Sequence, residues 1–145
     1  MTEIKEAELS SVDAIVGIEN SSFTCPWSEK SFNDAISSDK IDVYTVGTDG
    51  EICGFYCLMI INEEAELLNI AVAASHRRQG LGDKLMTHAL SLAKSRGVKA
   101  VYLEVRESNT PARRLYEKYG YTALGVRKNY YAYPRENAVI MQKQL

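Results

Sequence analysis

Hydrophobic and polar residues alternate along the chain with two periods, one typical of strands and one typical of helices. In the first half this pattern predicts strands near Ile4–Ala7, at Ile41–Val46 and at Ile52–Ile61. Asp49-Gly50 separates the last two, and such a dipeptide between apolar segments is a strong signal for a tight hairpin. We therefore expect the first half to supply successive strands of one sheet.

Two helices are predicted between the first strand and this hairpin. Ser10 or Ser11 is the expected N-cap of the first helix, and Ser28 is the expected N-cap of the second. Trp27 and Phe32 occupy the two positions of a hydrophobic staple around Ser28. The second helix should therefore begin sharply.

Strands and helices alternate in the second half of the chain. Glu64–Ala73 is predicted as a strand, and the amphipathic stretch after the next turn is predicted as a helix that runs to about Arg96 and is closed by Gly97. Asn109 and Pro111 supply a cap and an early proline for a short helix. The other segments are predicted strands, at Val98–Arg106, about Tyr121–Tyr131 and Ala138–Lys143.

This order, strands first and then strand–helix–strand–helix, predicts an α/β fold in which helices cover a mixed sheet. No repeat, low-complexity tract or linker interrupts the 145 residues, so we expect a single domain spanning residues 1–145. The net charge of −2 gives no indication of a general nucleic-acid surface. No apolar run is long enough to cross a bilayer and no N-terminal signal is evident, so the expected location is the cytoplasm.

The three cysteines do not indicate a metal site. Cys25, Cys53 and Cys57 form no Cys-x-x-Cys motif, and the chain has only two histidines, so we expect no bound metal. Cys53 and Cys57 have the same parity in an apolar strand, which favours a structural role as small core residues.

The turn between the strand Glu64–Ala73 and the following helix is the most informative segment. It reads Arg77-Arg78-Gln79-Gly80-Leu81-Gly82. Glycines let the backbone approach a ligand closely, and the free N–H groups and dipole of a helix N-terminus attract an anion. The turn therefore predicts a site for a phosphate-bearing cofactor, with an ordinary surface turn of solvated arginines as the alternative.

Two familiar phosphate-binding motifs are excluded by the residues themselves. A P-loop requires Lys-Ser/Thr after its last glycine, whereas Gly82 is followed by Asp83 and Lys84. A dinucleotide fingerprint requires a third glycine at the position of Leu85. The remaining pattern, Arg/Gln-x-x-Gly-x-Gly, resembles that of the GNAT superfamily of acetyltransferases, whose corresponding turn wraps the pyrophosphate of acetyl-CoA. The element order also resembles the GNAT fold, a central mixed, mostly antiparallel sheet flanked by about four helices.

Acetyl transfer from a thioester to an amine needs a group that removes the amine proton and a group that protonates the departing sulfur. Glu104 lies in a largely apolar strand, where a carboxylate is unfavourable unless it is paired. The alternative for Glu104 is a rim carboxylate paired with Arg106 or a lysine. Tyr116 lies on the inward face of the short helix, where a tyrosine is more often a core residue. Their joint placement beside the turn favours catalysis.

Several segments between about Phe23 and Met141 resemble a narrower group, the RimI family of bacterial enzymes that acetylate the N-terminal alanine of one ribosomal small-subunit protein. Pro26-Trp27-Ser28 and Asn129-Tyr130-Tyr131 are the discriminating segments. The resemblance implies Glu104 as general base and Tyr116 as general acid. Asn137 departs from the family, which often has aspartate there, so the placement of its loop is in doubt.

The same resemblance implies the binding residues. Acetyl-CoA is expected to contact the backbone of one strand, the turn and the cap of the short helix: Ile70, Ala71, Val72, Arg77, Arg78, Gln79, Gly80, Leu81, Gly82, Asp83 and Asn109. The N–H of Val72 is expected to meet the thioester oxygen. Tyr130 and Tyr131 are expected to hold the substrate peptide, with Phe23, Pro26 and Trp27 as the opposite wall. Staple packing of Trp27 and edge-strand packing of the two tyrosines are the structural alternatives.

An N-terminal amine is favoured over a lysine as acceptor, because its reference pKa is about 8 rather than about 10.4. A single carboxylate then suffices as base, and direct attack of the amine is expected. Two alternatives stay open: a GNAT enzyme acting on other N-termini, lysines or small amines, and a coenzyme-binding module without activity.

Overall fold

Seven strands form one sheet in the computed structural model, which describes residues 1–145. The sheet order is β1-β2-β3-β4-β5-β7-β6, and only the β4–β5 pair is parallel. The predicted mixed sheet is therefore confirmed. In chain order the elements are β1 (Thr2–Glu6), α1 (Val12–Ser22), α2 (Glu29–Ser37), β2 (Ile41–Thr48), β3 (Glu51–Ile61), β4 (Glu64–Val72), α3 (Leu81–Ser95), β5 (Ala100–Arg106), α4 (Thr110–Lys118), β6 (Thr122–Ala132) and β7 (Arg135–Gln144).

Local signals placed most turns and caps correctly. Asp49 and Gly50 both have positive φ, 52° and 85°, as a tight hairpin with the strands' own twist requires. The hydroxyl of Ser28 accepts the N–H of Ser31 at 3.1 Å, and the Trp27 and Phe32 rings lie 5.4 Å apart, which confirms the cap and the staple of α2.

The start of α1 differs from the prediction. A 3₁₀ turn, Leu9–Ser11, precedes the helix, and Ser11 occupies the cap position without a side-chain hydrogen bond to α1. Its hydroxyl instead accepts the N–H of Glu8 at 3.1 Å. Ser11 has helical dihedrals, φ −82° and ψ −14°, and not the extended ones of a typical N-cap, so its side chain stabilises the preceding turn.

The helices lie in two layers, one on each face of the sheet. Apolar residues of α3 and α4 pack on one face, and apolar residues of α1 and α2 pack on the other. Cys53 and Cys57 are both buried, as expected of core residues, but they pack in different layers. The cause is a bulge in the β2–β3 pairing next to Cys53, which reverses the alternation that parity alone predicts.

Two irregularities in the pairing of β4 determine the shape of the candidate site. β4 pairs with β5 only from Glu64 to Glu66, so the two strands separate beyond that point and leave a cleft. A bulge at Leu68 also shifts the register with β3, since Cys57 pairs with Asn69 and Leu58 pairs with Leu67. Leu67 consequently packs under α3, whereas Ala71 packs under α1 and α2. No helix is both long and apolar enough to span a membrane.

Candidate active site

A cleft with a volume of about 520 Å³ lies between the end of β4, the start of α3 and one side of α4, and the separated β5 lines a smaller cavity next to it. The lining of the cleft includes every residue predicted to contact the cofactor except the exposed Gln79: Ile70, Ala71, Val72, Arg77, Arg78, Gly80, Leu81, Gly82, Asp83 and Asn109. Phe23 and Tyr116 line the same cleft. The structure thus brings the predicted cofactor segments together.

The turn before α3 presents free backbone amides. Arg78 and Gly80 have positive φ, 63° and 76°. A side chain on Gly80 would meet nothing within 4 Å, so the glycine is required by backbone conformation and not by space. No side chain caps α3, and its first internal bond runs from Lys84 N–H to the Gly80 carbonyl at 3.1 Å. The preceding amides are therefore available to an anion.

The free edge of β4 faces the cleft. Ala73 N–H donates to the Cys53 carbonyl of β3 at 2.7 Å. Because successive backbone groups of a strand point to opposite edges, the N–H groups of Val72 and Ile70 point away from β3 and towards the gap. Arg77 Nε donates to the Val72 carbonyl at 3.2 Å on that same edge. An extended ligand can hydrogen-bond along this edge as a strand would.

Tyr116 lies at the junction of this cleft with a smaller cavity of about 110 Å³. Only 8% of the residue is exposed, and its ring packs 5.8 Å from that of Tyr121. Burial raises the pKa of the Tyr116 phenol, and the nearby Tyr131 raises it further. The phenol therefore keeps its proton at neutral pH, as a proton donor must.

Glu104 reaches the smaller cavity from the other face of the sheet. Its neighbours Leu103 and Val105 pack under α3, so the Glu104 side chain points to the α1–α2 side. Oε1 lies 3.5 Å from Arg127 Nε, while Oε2 is buried and has no hydrogen-bond partner. Glu104 pairs with neither Arg106 nor a lysine, but its ion pair with Arg127 is of the kind that the alternative predicted. Glu104 retains a free acceptor beside the cavity.

Phe23, Trp27 and Tyr131 wall a further recess of about 170 Å³ that Glu104 also lines. Trp27 forms the predicted staple with Phe32 and also lines this recess, while its contact with a peptide stays a prediction. Burial and the Glu104 charge raise the pKa of Tyr131 to about 12. Tyr130 is 51% exposed and packs edge-on against Tyr131 at 5.1 Å, outside the recess.

Arg106 ties together the two loops around the recess, a role that sequence reasoning missed. Its guanidinium donates to Thr24 Oγ1 at 3.1 Å and to the carbonyls of Tyr133 and Pro134 at 3.0 and 2.9 Å. It also lies 4.3 Å over the Tyr131 ring and 3.3 Å from Glu136. The α1–α2 and β6–β7 loops are therefore held by one residue of β5.

The side chain of Asn137, near the start of β7, anchors the β6–β7 hairpin. Asn137 Oδ1 accepts the N–H of Asn129 at 2.9 Å, and Asn129 itself has a φ of 54°. A carboxamide oxygen accepts this bond as a carboxylate would. Asparagine therefore supplies the acceptor for the Asn129 amide that an aspartate at this position could also supply.

A buried Glu19–Asn69 pair was also missed. Asn69 Nδ2 donates to both carboxylate oxygens of Glu19, at 3.3 and 3.2 Å, and Trp27 N–H donates to Oε2 at 2.9 Å. The sequence contains one indication that Glu19 is buried, because it lies four residues after Ile15 on the apolar face of α1. A charged residue in that position is usually paired.

Comparisons with known proteins agree with the residues assembled here. Residues 12–121 match the family described as acetyltransferase (GNAT) family. The chain is 36% identical over 143 residues to the ribosomal protein bS18-alanine N-acetyltransferase of Escherichia coli (strain K12), which spans 97% of this chain and 96% of that protein. It is 34% identical to the enzyme of the same name from Haemophilus influenzae over 97% of each chain.

Solved structures give the same result. The crystal structure of the Escherichia coli ribosomal-protein-S18-alanine N-acetyltransferase superposes with a TM-score of 0.93 and 35% identity over 99% of this chain and 94% of that one. Ard1 from Thermoplasma volcanium superposes with a TM-score of 0.90 and 30% identity, over 99% of this chain and 97% of that one. The fold and both resemblances inferred from the sequence are confirmed.

Proposed function

The chain belongs to the acetyltransferase (GNAT) family, and we propose that it acetylates the N-terminal alanine of ribosomal small-subunit protein bS18 with acetyl-CoA. One observation carries the proposal. The cleft has free backbone amides on one side and joins the smaller cavity where β4 and β5 separate. That cavity is lined by Glu104, which has an unpartnered carboxylate oxygen. The names of the similar enzymes support the choice of bS18 as substrate.

The cofactor side of the cleft suits an elongated, phosphate-bearing thioester. Amides of the turn from Arg78 to Asp83 would hold the pyrophosphate, and the free edge of β4 would bind the pantetheine arm. Acetyl-CoA supplies the acetyl group as a thioester. In this arrangement the N–H of Val72 would stabilise the negative charge that develops on the carbonyl oxygen. Asn109 Oδ1 caps α4 by accepting the N–H of Ala112 at 3.2 Å, which places that residue at the cleft wall.

Two side chains would handle the protons. Glu104 accepts one proton from the protonated α-amino group, and the neutral amine then forms the C–N bond as the C–S bond breaks; the second amine proton leaves as the amide forms and, through solvent, restores the Tyr116 phenol. Tyr116 donates its proton to the departing thiolate, so that the products are the acetylated peptide and a free thiol. Tyr116 lies in the α3–α4 layer and Glu104 faces the opposite one, so acid and base approach the gap from opposite faces of the sheet.

The acceptor chemistry favours a peptide N-terminus. An α-amine loses its proton about 2.5 pKa units below a lysine, a difference of about 3.4 kcal/mol. No cluster of three or more metal-ligating side chains is present in the fold, and the proposed reaction uses none. The recess of about 170 Å³ is walled by aromatic residues on two tied loops, which suits the end of a peptide. A ribosomal substrate would place the reaction in the cytoplasm.

Initial rates on three acceptors test the proposal. We expect acetyl-CoA-dependent acetylation of a peptide that copies the bS18 N-terminus, and slower turnover of its N-blocked lysine analogue and of a polyamine. A faster rate on either of the latter would replace the assigned substrate. Mass spectrometry of ribosomal protein N-termini after deletion and restoration of the gene tests the same assignment in cells, where the bS18 N-terminus should lose and regain 42 Da, roughly one acetyl group.

A further inference from the structure

The carboxamide of Asn69 is held in a fixed orientation inside the sheet. The bulge at Leu68 turns Asn69 towards α1, where the residue is only 8% exposed. Its Nδ2 donates to both oxygens of Glu19, which is itself 2% exposed. A carboxylate only accepts hydrogen bonds, so the amide nitrogen of Asn69 must face Glu19 and the amide oxygen must face away.

That amide oxygen is buried and has no hydrogen-bond partner. Buried polar groups are normally paired, and an unpaired acceptor is destabilising. Asn69 lines both small cavities beside the main cleft, and Glu104 and Tyr131 line both as well. Two unpartnered acceptors, Asn69 Oδ1 and Glu104 Oε2, therefore belong to one recess.

No donor of the protein is hydrogen-bonded to either acceptor, although the phenols of Tyr116 and Tyr131 line the same recess. Arg106 also lines it, but its terminal nitrogens donate to Thr24, to backbone carbonyls and to Glu136. Arg127 lies at 3.5 Å from the other oxygen of Glu104 and is more than half exposed. Two acceptors without a donor match a ligand group that carries several N–H bonds.

We propose that Asn69 Oδ1 accepts one N–H of the substrate's α-amino group, so that the amine is held between Asn69 and Glu104. Glu19 is then a positioning residue, because it fixes the orientation of the Asn69 amide without touching the substrate. This inference rests on the proposed N-terminal acetyltransferase function and names a residue that selects for the free amine.

A neutral amide suits this position better than a second carboxylate. A carboxylate beside the amine would stabilise its protonated form and raise its pKa, which opposes the deprotonation that attack requires. A carboxamide oxygen directs the nitrogen while adding no net charge. Asn69 can therefore orient the amine and leave proton removal to Glu104.

The experiment compares two competitive peptides of the same sequence, one beginning with alanine and one with propionyl in its place, which lacks only the α-amine. We expect wild-type protein to bind the amino peptide more tightly, and Asn69→Ala to reduce that preference about tenfold. The Kd for acetyl-CoA should stay within about twofold of wild type. Equal weakening of both peptides, or an unchanged preference, would overturn the inference.

Three further variants separate orientation from folding. Asn69→Ser keeps a small polar side chain that is too short to reach the amine, and its preference should fall as in Asn69→Ala. Glu19→Gln still accepts the Trp27 N–H but no longer fixes the amide, so the preference should fall by a smaller factor. Thr45→Val, a matched control, removes a buried hydroxyl of β2 that donates to the Lys5 carbonyl at 3.4 Å and should leave the preference unchanged.

The outcomes also separate this inference from the function on which it rests. Failure of wild-type protein to acetylate any alanine peptide would remove the proposed function. Acetylation by wild-type protein with an unchanged amine preference in Asn69→Ala and Asn69→Ser would remove only the role of Asn69.

Discussion

On the α3 side of the cleft, the groups available to a ligand are backbone amides from one stretch of chain, residues 70–83. On the far side they are side chains from separate elements, among them Phe23, Glu104 and Tyr131. The first region depends on φ and ψ and tolerates most changes of side chain. The second depends on individual side chains and on the loops that carry them. The two regions should therefore respond to different substitutions.

Glu104→Gln is expected to have the largest effect. It keeps the size of the side chain but removes the base, so kcat should fall by about 10³. Affinity for acetyl-CoA, measured by calorimetry, should stay within about twofold because the α3 side is untouched. Full turnover in this variant would show that the base is another group.

Tyr116→Phe should lower kcat by about 10² by removing the proton donor. Tyr121→Phe is the matched control, since that residue is buried beside Tyr116 and its hydroxyl donates one hydrogen bond, to Met86 Sδ at 3.9 Å. Steady-state kinetics should show near-normal turnover for the control. Similar losses in both variants would indicate that packing, and not proton transfer, accounts for the effect.

Gly80→Ala tests the backbone side. Its φ of 76° is unfavourable for alanine, so the turn should shift and the Kd for acetyl-CoA should rise about tenfold, with KM for the peptide little changed. Gly97→Ala carries the same strain at φ 79° beyond the other end of α3. It should lower the melting temperature without changing the Kd. Equal binding losses in both variants would contradict a local role for the turn.

Arg106→Lys should raise KM for the peptide several-fold, because a lysine cannot donate to Thr24 and to two carbonyls at once. The Kd for acetyl-CoA should not change. Arg96→Lys, which weakens an ion pair with Asp42 at the far end of α3, is the control. A comparable rise in KM there would argue against a specific role for the tied loops.

The smallest effect concerns pH. The ordinary pKa of a tyrosine is about 10, and burial raises that of Tyr116 above it. The phenol therefore stays protonated as pH rises towards 10, and kcat should show no loss from its ionisation below that value. A decline with a single pKa between 8 and 9, roughly one to two units below a free phenol, that is absent in Tyr116→Phe would contradict this expectation.

Sequence reasoning succeeded where the determinant is local. Asp49-Gly50, Ser28 and Asn109 each fix their turn or cap through neighbours within a few residues, and the structure shows all three as predicted. The cofactor turn is contiguous in the same way. The catalytic roles of Glu104 and Tyr116 stay predictions, since they depend on the resemblance and on the geometry of the cleft.

Features that depend on distant partners were not predictable. The bulge at Leu68 is set by pairing with β3, and it decides which face Asn69 occupies. Arg106 was considered only as a partner for Glu104, because neither the Thr24 loop nor the β6–β7 turn is near it in sequence. The positions of Cys53 and Cys57 were not predictable for the same reason. Their spacing predicts that they face the same side of the sheet, but a bulge places them on opposite sides.

The separation of β4 from β5 has a consequence for solubility. A strand with unsatisfied backbone groups at the rim of a sheet usually invites a second chain to add to it, which promotes aggregation. Here the free N–H groups, those of Ile70 and Val72, lie on a strand in the middle of the sheet, next to β5 and α4. An extended small molecule can bind to these amides, whereas an additional strand would have to displace β5 or α4. The protein therefore presents free strand amides with less tendency to aggregate than an exposed sheet edge would have.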